Sequence, residues 1–266
     1  MEVDEGFRRL DAAFEGAIAP WRGSSDPVVV LFSGGVDSGV IATALRRSPA
    51  VTLFTVGTAR SADLQTAEVG AALLGLPWVS HEVLPSEVQD VLARIERDPR
   101  DLTATARSVQ TSFALAVANA PPGGLLCGQG ADELFLGYAH FRGLNARAAS
   151  LRADSDLRTL VEREWPRSVR IARALGRSIF APYLDPKFVA VARSIRIELR
   201  QPGARPKGFF RDWAETQGVP AAIAQRPKRA LQYGSGIDRL LARIGPRLGD
   251  RTERRSLGDG FDRMAK

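Results

Sequence analysis

One stretch restricts this chain more than any other: VVVLFSGGVDSGV, Val28 to Val40. A run of β-branched and apolar residues stops at a serine, two glycines and an aspartate, then turns helical. Val28–Phe32 has the unbroken apolar character of a strand covered on both faces. Ser33-Gly34-Gly35 predicts a tight loop, because two residues without Cβ leave φ unrestricted and backbone N–H groups open to a bulky neighbour. With the first turn of the following helix, those N–H groups form a nest that favours an anion. Ser33 and Ser38 add hydroxyl donors. Asp37 puts a carboxylate beside the same spot, which repels phosphate unless a divalent cation lies between them. An ordinary glycine-rich βα turn with a capping aspartate has the same composition, so the loop alone leaves both readings open.

Other phosphate loops are excluded directly. No Gly-Lys pair occurs anywhere in the sequence, so the Walker pattern with its lysine is absent. The spacing does not fit a dinucleotide fingerprint. Ser33-Gly34-Gly35-Val36-Asp37-Ser38 instead resembles the SGGxDS loop of the N-type ATP pyrophosphatases, the PP-loop family. That resemblance implies ATP cleaved between its α and β phosphates, with the loop holding pyrophosphate.

The rest of the chain fits around this unit. With 266 residues, 44% of them hydrophobic, it can bury a full core. Its single cysteine, Cys127 in the apolar run Leu125-Leu126-Cys127, reads as a buried strand thiol and leaves no disulfide framework. No apolar run approaches the roughly 20 residues of a membrane span, and no secretory leader is expected, which predicts a soluble, cytoplasmic protein without membrane contact. The net charge of +7 leaves room for an acidic partner. Arginines scattered over helical faces account for much of it, and nucleic acid is not the expected partner.

In chain order, Phe7, Leu10, Phe14 and Ile18 predict an amphipathic helix over residues 5–18, with a loop from Trp21 to Pro27. After the central strand comes a helix over about 38–47, then a strand at Val51–Val56. A helix from about Ala62 to Leu74 follows and ends at Gly75. Trp78–Leu84 reads as a third strand, Ser86 as the cap of a helix toward Arg97, Thr103–Ala120 as helical, and Gly124–Cys127 as a fourth strand. Such alternation implies an α/β fold, a doubly wound parallel sheet with ligands at the strand C-terminal ends. Ser33–Ser38, Val56-Gly57 and Gly128–Glu133 then share one rim. From about Ala139 the chain reads as a helical C-terminal extension, with Phe180–Pro186 as a loop within it. The expected organisation is one domain over 1–266: an α/β part to about 139, a helical part to about 244, and a tail over 245–266.

Gly128-Gln129-Gly130-Ala131-Asp132-Glu133 repeats the opening logic of strand, glycine-punctuated loop, acidic pair and helix. An acidic pair at a helix start also complements the helix dipole. On neighbouring strand ends, however, Asp37 and Asp132 face each other and can hold Mg²⁺ against ATP phosphates.

Here the resemblance narrows. Gly128–Tyr138 is similar to the GEGADELFGGY segment of the asparagine synthetase C-terminal domain. Phe54-Thr55-Val56-Gly57 with Ser61-Ala62-Asp63 is similar to the family's FSVG and SPD steps. Ala181–Asp185 is similar to its VPFLD, Lys207–Arg211 to its K-x-x-x-R, and Arg226-Pro227-Lys228 to its RxK, in family order over roughly residues 25 to 240. The resemblance implies an acyl-adenylate reaction. A small-molecule carboxylate attacks the α-phosphorus of MgATP, and ammonia or an amine then displaces AMP. It further implies nucleotide contacts at Leu31, Ser33, Gly34, Gly35, Asp37, Ser38, Val56, Gly57, Gly128 and Gly130, with Mg²⁺ on Asp37 and Asp132. Lys207 and Lys228 become cations that stabilise charge on the departing pyrophosphate. Arg107, Asp63, Glu133 and Tyr233 are the substrate-pocket candidates.

The match breaks at two points. The family's glutaminase half, with its N-terminal cysteine nucleophile, has no counterpart before the loop, so a separate glutaminase subunit or free ammonia is the expected nitrogen source unless the nucleophile is another amine. Gln129 stands where asparagine synthetases usually carry glutamate, and an amide cannot take a proton from an incoming ammonium. Relatives that make other amides therefore stay open. So do a tRNA-modifying PP-loop ligase, an ATP-binding subunit without acceptor chemistry, and a homodimeric assembly. His81 and His140 are too far apart for a helical metal pair, and neither a GxSxG elbow nor an HExxH motif is present.

Overall fold

A computed structural model describes residues 3–95, 104–201, 205–227 and 234–244. Five strands, β1 (Val28–Leu31), β2 (Val51–Gly57), β3 (Trp78–Glu82), β4 (Gly124–Leu126) and β5 (Ile179–Phe180), form one sheet in the order β3-β2-β1-β4-β5. Every pairing is parallel. The valine run shows why β1 is central. Val28 and Val30 join a cluster with α1 (Val3–Arg22), α2 (Val36–Leu45) and α3 (Ala62–Leu74), whereas Val29 enters the cluster of the opposite face with α4 (Pro85–Ile95) and α5 (Ala104–Asn119). All three valines are buried, so neither face tolerates the polar alternation of a one-sided sheet.

The chain runs outward from β1 through β2 to β3, then returns to the other side of β1 as β4. The order reverses between β1 and β4, and the crevice at their C-terminal ends is the topological switch point where open α/β sheets bind ligands. The helical half closes over it. It comprises α6 (Ala131–Leu134), α7 (Ala146–Thr159), α8 (Trp165–Ala174), α9 (Pro186–Ser194), α10 (Ile197–Arg200), α11 (Gly208–Thr216) and α12 (Ala221–Ala224). Phe188, Phe210 and Trp213 from α9 and α11 pack with Phe14 of α1 in the main core, so both parts share one hydrophobic interior.

Several boundaries differ from the sequence expectation. Ala62–Leu74 is reproduced as expected, with the Ser61 side chain accepting from Leu64 N–H and Gly75 in the left-handed conformation at φ 65°. The leading helix instead runs on through Trp21 to Arg22, because Trp21 packs against Phe180 and Arg22 pairs with Glu15. Ser86 lies inside α4. Pro85 opens that helix, and Glu87 reaches back to accept the Leu84 N–H at 2.7 Å. The segment expected as a loop around Phe180 begins with β5, whose two residues are too short for any periodicity to register.

Candidate active site

Gly34 of the first loop is required by what surrounds it. Gly34 has φ +71°, and a Cβ there would lie 2.7 Å from the Thr66 carbonyl oxygen on α3. Gly35 is the extended residue before α2. The loop is pinned from within: Ser33 N–H donates to Ser38 Oγ at 3.3 Å, and Ser38 Oγ donates to the Gly35 carbonyl at 3.3 Å. Ser38 is 4% exposed, so its hydroxyl shapes the loop from inside. The entry to the loop is fixed by Thr55 Oγ1, which donates to the Phe32 carbonyl at 2.5 Å and accepts from Trp78 Nε1 at 3.0 Å.

The second loop is drawn against the first. A Cβ on Gly128 would sit 2.8 Å from Asp37 Cβ, so only glycine lets the end of β4 approach this closely. Gly130, at φ +100°, starts α6 and lies under Leu184, where a Cβ would meet Leu184 Cδ2 at 2.7 Å. Tyr183, fully buried, donates its hydroxyl to the Asp37 carbonyl at 2.7 Å. Its stacking on Phe14 ties α2's first turn to the main core.

Asp37 and Asp132 meet at this crevice through Lys207. The Lys207 Nζ lies 2.6 Å from Asp37 Oδ1 and 2.7 Å from Asp132 Oδ1. Burial disfavours its ammonium, but the two carboxylates outweigh burial and hold its pKa above the usual lysine value. Each contact is worth roughly 6 kcal/mol at an effective dielectric near 20, before desolvation. The lysine side chain is 1% exposed, whereas Asp37 and Asp132 remain 26% and 19% exposed. Lys207 therefore forms the floor, and the carboxylates keep oxygens open to the crevice. Two carboxylates and a lysine leave one net negative charge, and two hard oxygen donors beside an anion nest suit Mg²⁺. Among the described residues no group of three or more His, Cys, Asp or Glu gathers, so phosphate and water oxygens would complete the coordination.

The other expected residues divide by location. Val56 and Gly57 end β2, and the segment 234–236 crosses above them, with Thr58 N–H donating to the Ser235 carbonyl at 2.9 Å. Asp63, 4% exposed in the first turn of α3, lies against Gly234. Leu31 is half-buried at the end of β1. Gln129 stands in the second loop, its Oε1 buried and accepting no hydrogen bond among the described residues. Glu133 is 6% exposed and accepts the Tyr138 hydroxyl at 2.5 Å. Burial and the neighbouring Asp132 push its carboxyl up to about 7. Arg107 is half-buried at the start of α5, across the sheet from α2. Lys228 and Tyr233 lie outside the described residues. His140, set aside from any metal pair, faces Asp156 at 2.8 Å.

Arg226, Thr55 and Tyr183 stand within the motifs quoted above but are given no role there; in the structure Arg226 Nη1 donates to the Ser33 carbonyl at 3.2 Å, and Thr55 and Tyr183 clamp the loop. Arg226 adjoins the expected Lys228 in the Arg-Pro-Lys step, and only its distance to the loop reveals its place.

A parallel, doubly wound sheet with a glycine loop and paired aspartates at its switch point is the α/β arrangement that the PP-loop resemblance predicts. The family model described as asparagine synthase matches residues 9–181 and 155–260, and the chain belongs to that family. It is 29% identical over 287 residues to the putative asparagine synthetase [glutamine-hydrolyzing] 1 of Methanocaldococcus jannaschii, covering 92% of this chain and 52% of the relative. To asparagine synthetase B [glutamine-hydrolyzing] of Escherichia coli it is 30% identical over 253 residues, covering 85% of this chain and 45% of the relative. The chain thus spans about half the length of these relatives. The structure of NMN synthetase from Francisella tularensis aligns with TM-score 0.46 at 13% identity, over 88% of this chain and 78% of that one.

Proposed function

We propose that the chain carries the ligase chemistry of an asparagine synthetase-like enzyme: it adenylates a small-molecule carboxylate with ATP, releasing pyrophosphate, and transfers ammonia or an amine to the acyl-adenylate, releasing AMP. The convergence of Asp37 and Asp132 on one point beside the Ser33–Gly35 nest is the observation that carries this reading. The backbone N–H groups of Gly34 and Gly35 and the start of α2 would take the β and γ phosphates, while the ends of β1 and β2 at Leu31, Val56 and Gly57 would take the nucleoside. Asp37 and Asp132 would hold Mg²⁺, which supplies charge neutralisation across the phosphates. Lys207 keeps those carboxylates converged, and Lys228 would provide the cation facing the α,β bridge.

Gln129 bears on the nitrogen donor. Its buried, unmatched Oε1 can accept an N–H and so orient an amine, but it cannot remove a proton. The nucleophile would then react as its free base, which favours an amine of lowered basicity over ammonium. The test is a screen of amino and keto acids with MgATP and ammonium or hydroxylamine, monitored by pyrophosphate release. AMP and pyrophosphate are the expected products; ADP and orthophosphate rule the reading out.

A further inference from the structure

A cleft of about 420 Å³ opens beside the crevice, between the turn after α6 and the α11–α12 region. Among the described residues its ionisable lining consists of Tyr138 and four arginines, Arg142, Arg205, Arg211 and Arg226, with no carboxylate. Three of the arginines are fixed in place. Arg211 donates to the Pro206, Ala224 and Arg226 carbonyls. Arg205 pairs with Asp212 and Gln225. Arg226 reaches the Ser33 carbonyl of the phosphate loop. The cleft wall at Gly137 is the back of the charged cluster, since a Cβ there would run into Asp132 and Lys207. The cleft therefore adjoins the loop on the β4 side, opposite the β2 end with Val56 and Gly57.

We propose that this arginine cleft binds inorganic pyrophosphate and is the route by which the diphosphate leaves the loop. The inference rests on the proposed reaction for the source of its ligand. An ATP lying across the loop with its nucleoside over β2 turns its β and γ phosphates toward β4, and so toward the arginines. Guanidinium groups match phosphate oxygens in a bidentate fork. A volume of this size accommodates a hydrated diphosphate. The arginine surplus on the wall would draw a trianion outward once its bond to the α-phosphorus is broken.

The test is calorimetric titration of the full chain with sodium pyrophosphate, with and without Mg²⁺, and in parallel with AMP. Wild type is compared with Arg142→Gln, Arg142→Lys and Arg142→Gln/Arg205→Gln. Arg142 is exposed, so its replacement leaves the core intact, and a thermal midpoint matching wild type verifies this. The expected result is a pyrophosphate affinity about tenfold weaker in Arg142→Gln and weaker still in the double variant, with AMP affinity kept within about twofold. Arg142→Lys falls between, because it keeps the charge and loses the fork. Pyrophosphate affinity unchanged in both glutamine variants overturns the proposal, as does an equal loss for AMP. A loss confined to an RNA oligomer, with pyrophosphate unaffected, overturns it as well and makes the cleft a nucleic-acid face. Should the protein yield ADP from ATP, the proposed reaction falls while the Arg142 dependence of pyrophosphate binding still stands as a direct result.

Discussion

Lys207 Nζ lies 2.6 Å from Asp37 Oδ1, joining residues 170 positions apart across the boundary between the sheet and the helical half. Lys207 itself has φ +59° and starts α11, where its ammonium also faces the Phe210 ring at 5.7 Å. The helical half thus contributes the counter-charge that lets two carboxylates share one crevice.

Lys207→Met removes that counter-charge and leaves Asp37 and Asp132 facing each other. Breaking a buried pair from one side costs about 3–5 kcal/mol, and urea unfolding reads the loss. Adding Asp37→Asn to Lys207→Met is expected to recover part of it. Additive losses in the double variant would show that the two residues are not coupled.

Asp37→Asn and Asp132→Asn each remove one hard anionic donor from the crevice. Turnover is expected to fall at least about 100-fold in either variant, with the Mg²⁺ concentration for half-maximal rate rising in parallel. Chelation of divalent cations should abolish turnover in wild type. Rates indifferent to Mg²⁺ would remove both aspartates from the metal assignment.

Gly34→Ala combines a positive φ with a Cβ only 2.7 Å from the Thr66 carbonyl oxygen. The strain is on the order of 1–3 kcal/mol and falls on the loop proposed to receive phosphate. ATP affinity, read by equilibrium binding, is expected to drop at least about tenfold, while Gly16→Ala, with open space around it and no positive φ, leaves ATP affinity unchanged.

Burial pushes the Cys127 thiol up to about 12 from an ordinary 9.0. The folded protein therefore holds the thiol proton more tightly than the unfolded chain, so this group's effect on stability is flat below pH 9 and turns unfavourable as pH climbs toward 12. Iodoacetamide at pH 8 is expected to label Cys127 only after unfolding. Rapid labelling of the native protein would place the thiol at the surface.

The parts read well from sequence are those where one local cause dominates. The valine run admits only a strand covered on both faces, and Ser61 and Gly75 bracket α3 by cap chemistry alone. Ser33–Asp37 and Gly128–Asp132 come to one rim because βα units of a parallel sheet put their loops at the strand C-terminal ends. What escaped depends on distant packing. The motif singles out Lys207 only as a cation for departing pyrophosphate, and it takes the approach of α11 to show it buried and paired with two aspartates. Trp21 stays helical because Phe180, 159 positions later, covers it. β5 is held by pairing of Leu125 and Leu126 with Ile179 and Phe180, not by any pattern of its own.

In the proposed reaction the phosphate loop determines which ATP bond breaks and a carboxylate is the attacking group. An acceptor identified by the pyrophosphate screen, labelled with ¹⁸O in its carboxylate, tests both together in a ³¹P spectrum of the products. If the carboxylate attacks the α-phosphorus and the amine later displaces AMP, one labelled oxygen remains on AMP and none appears in pyrophosphate. Label in orthophosphate, or AMP carrying only oxygen from water, would contradict the account.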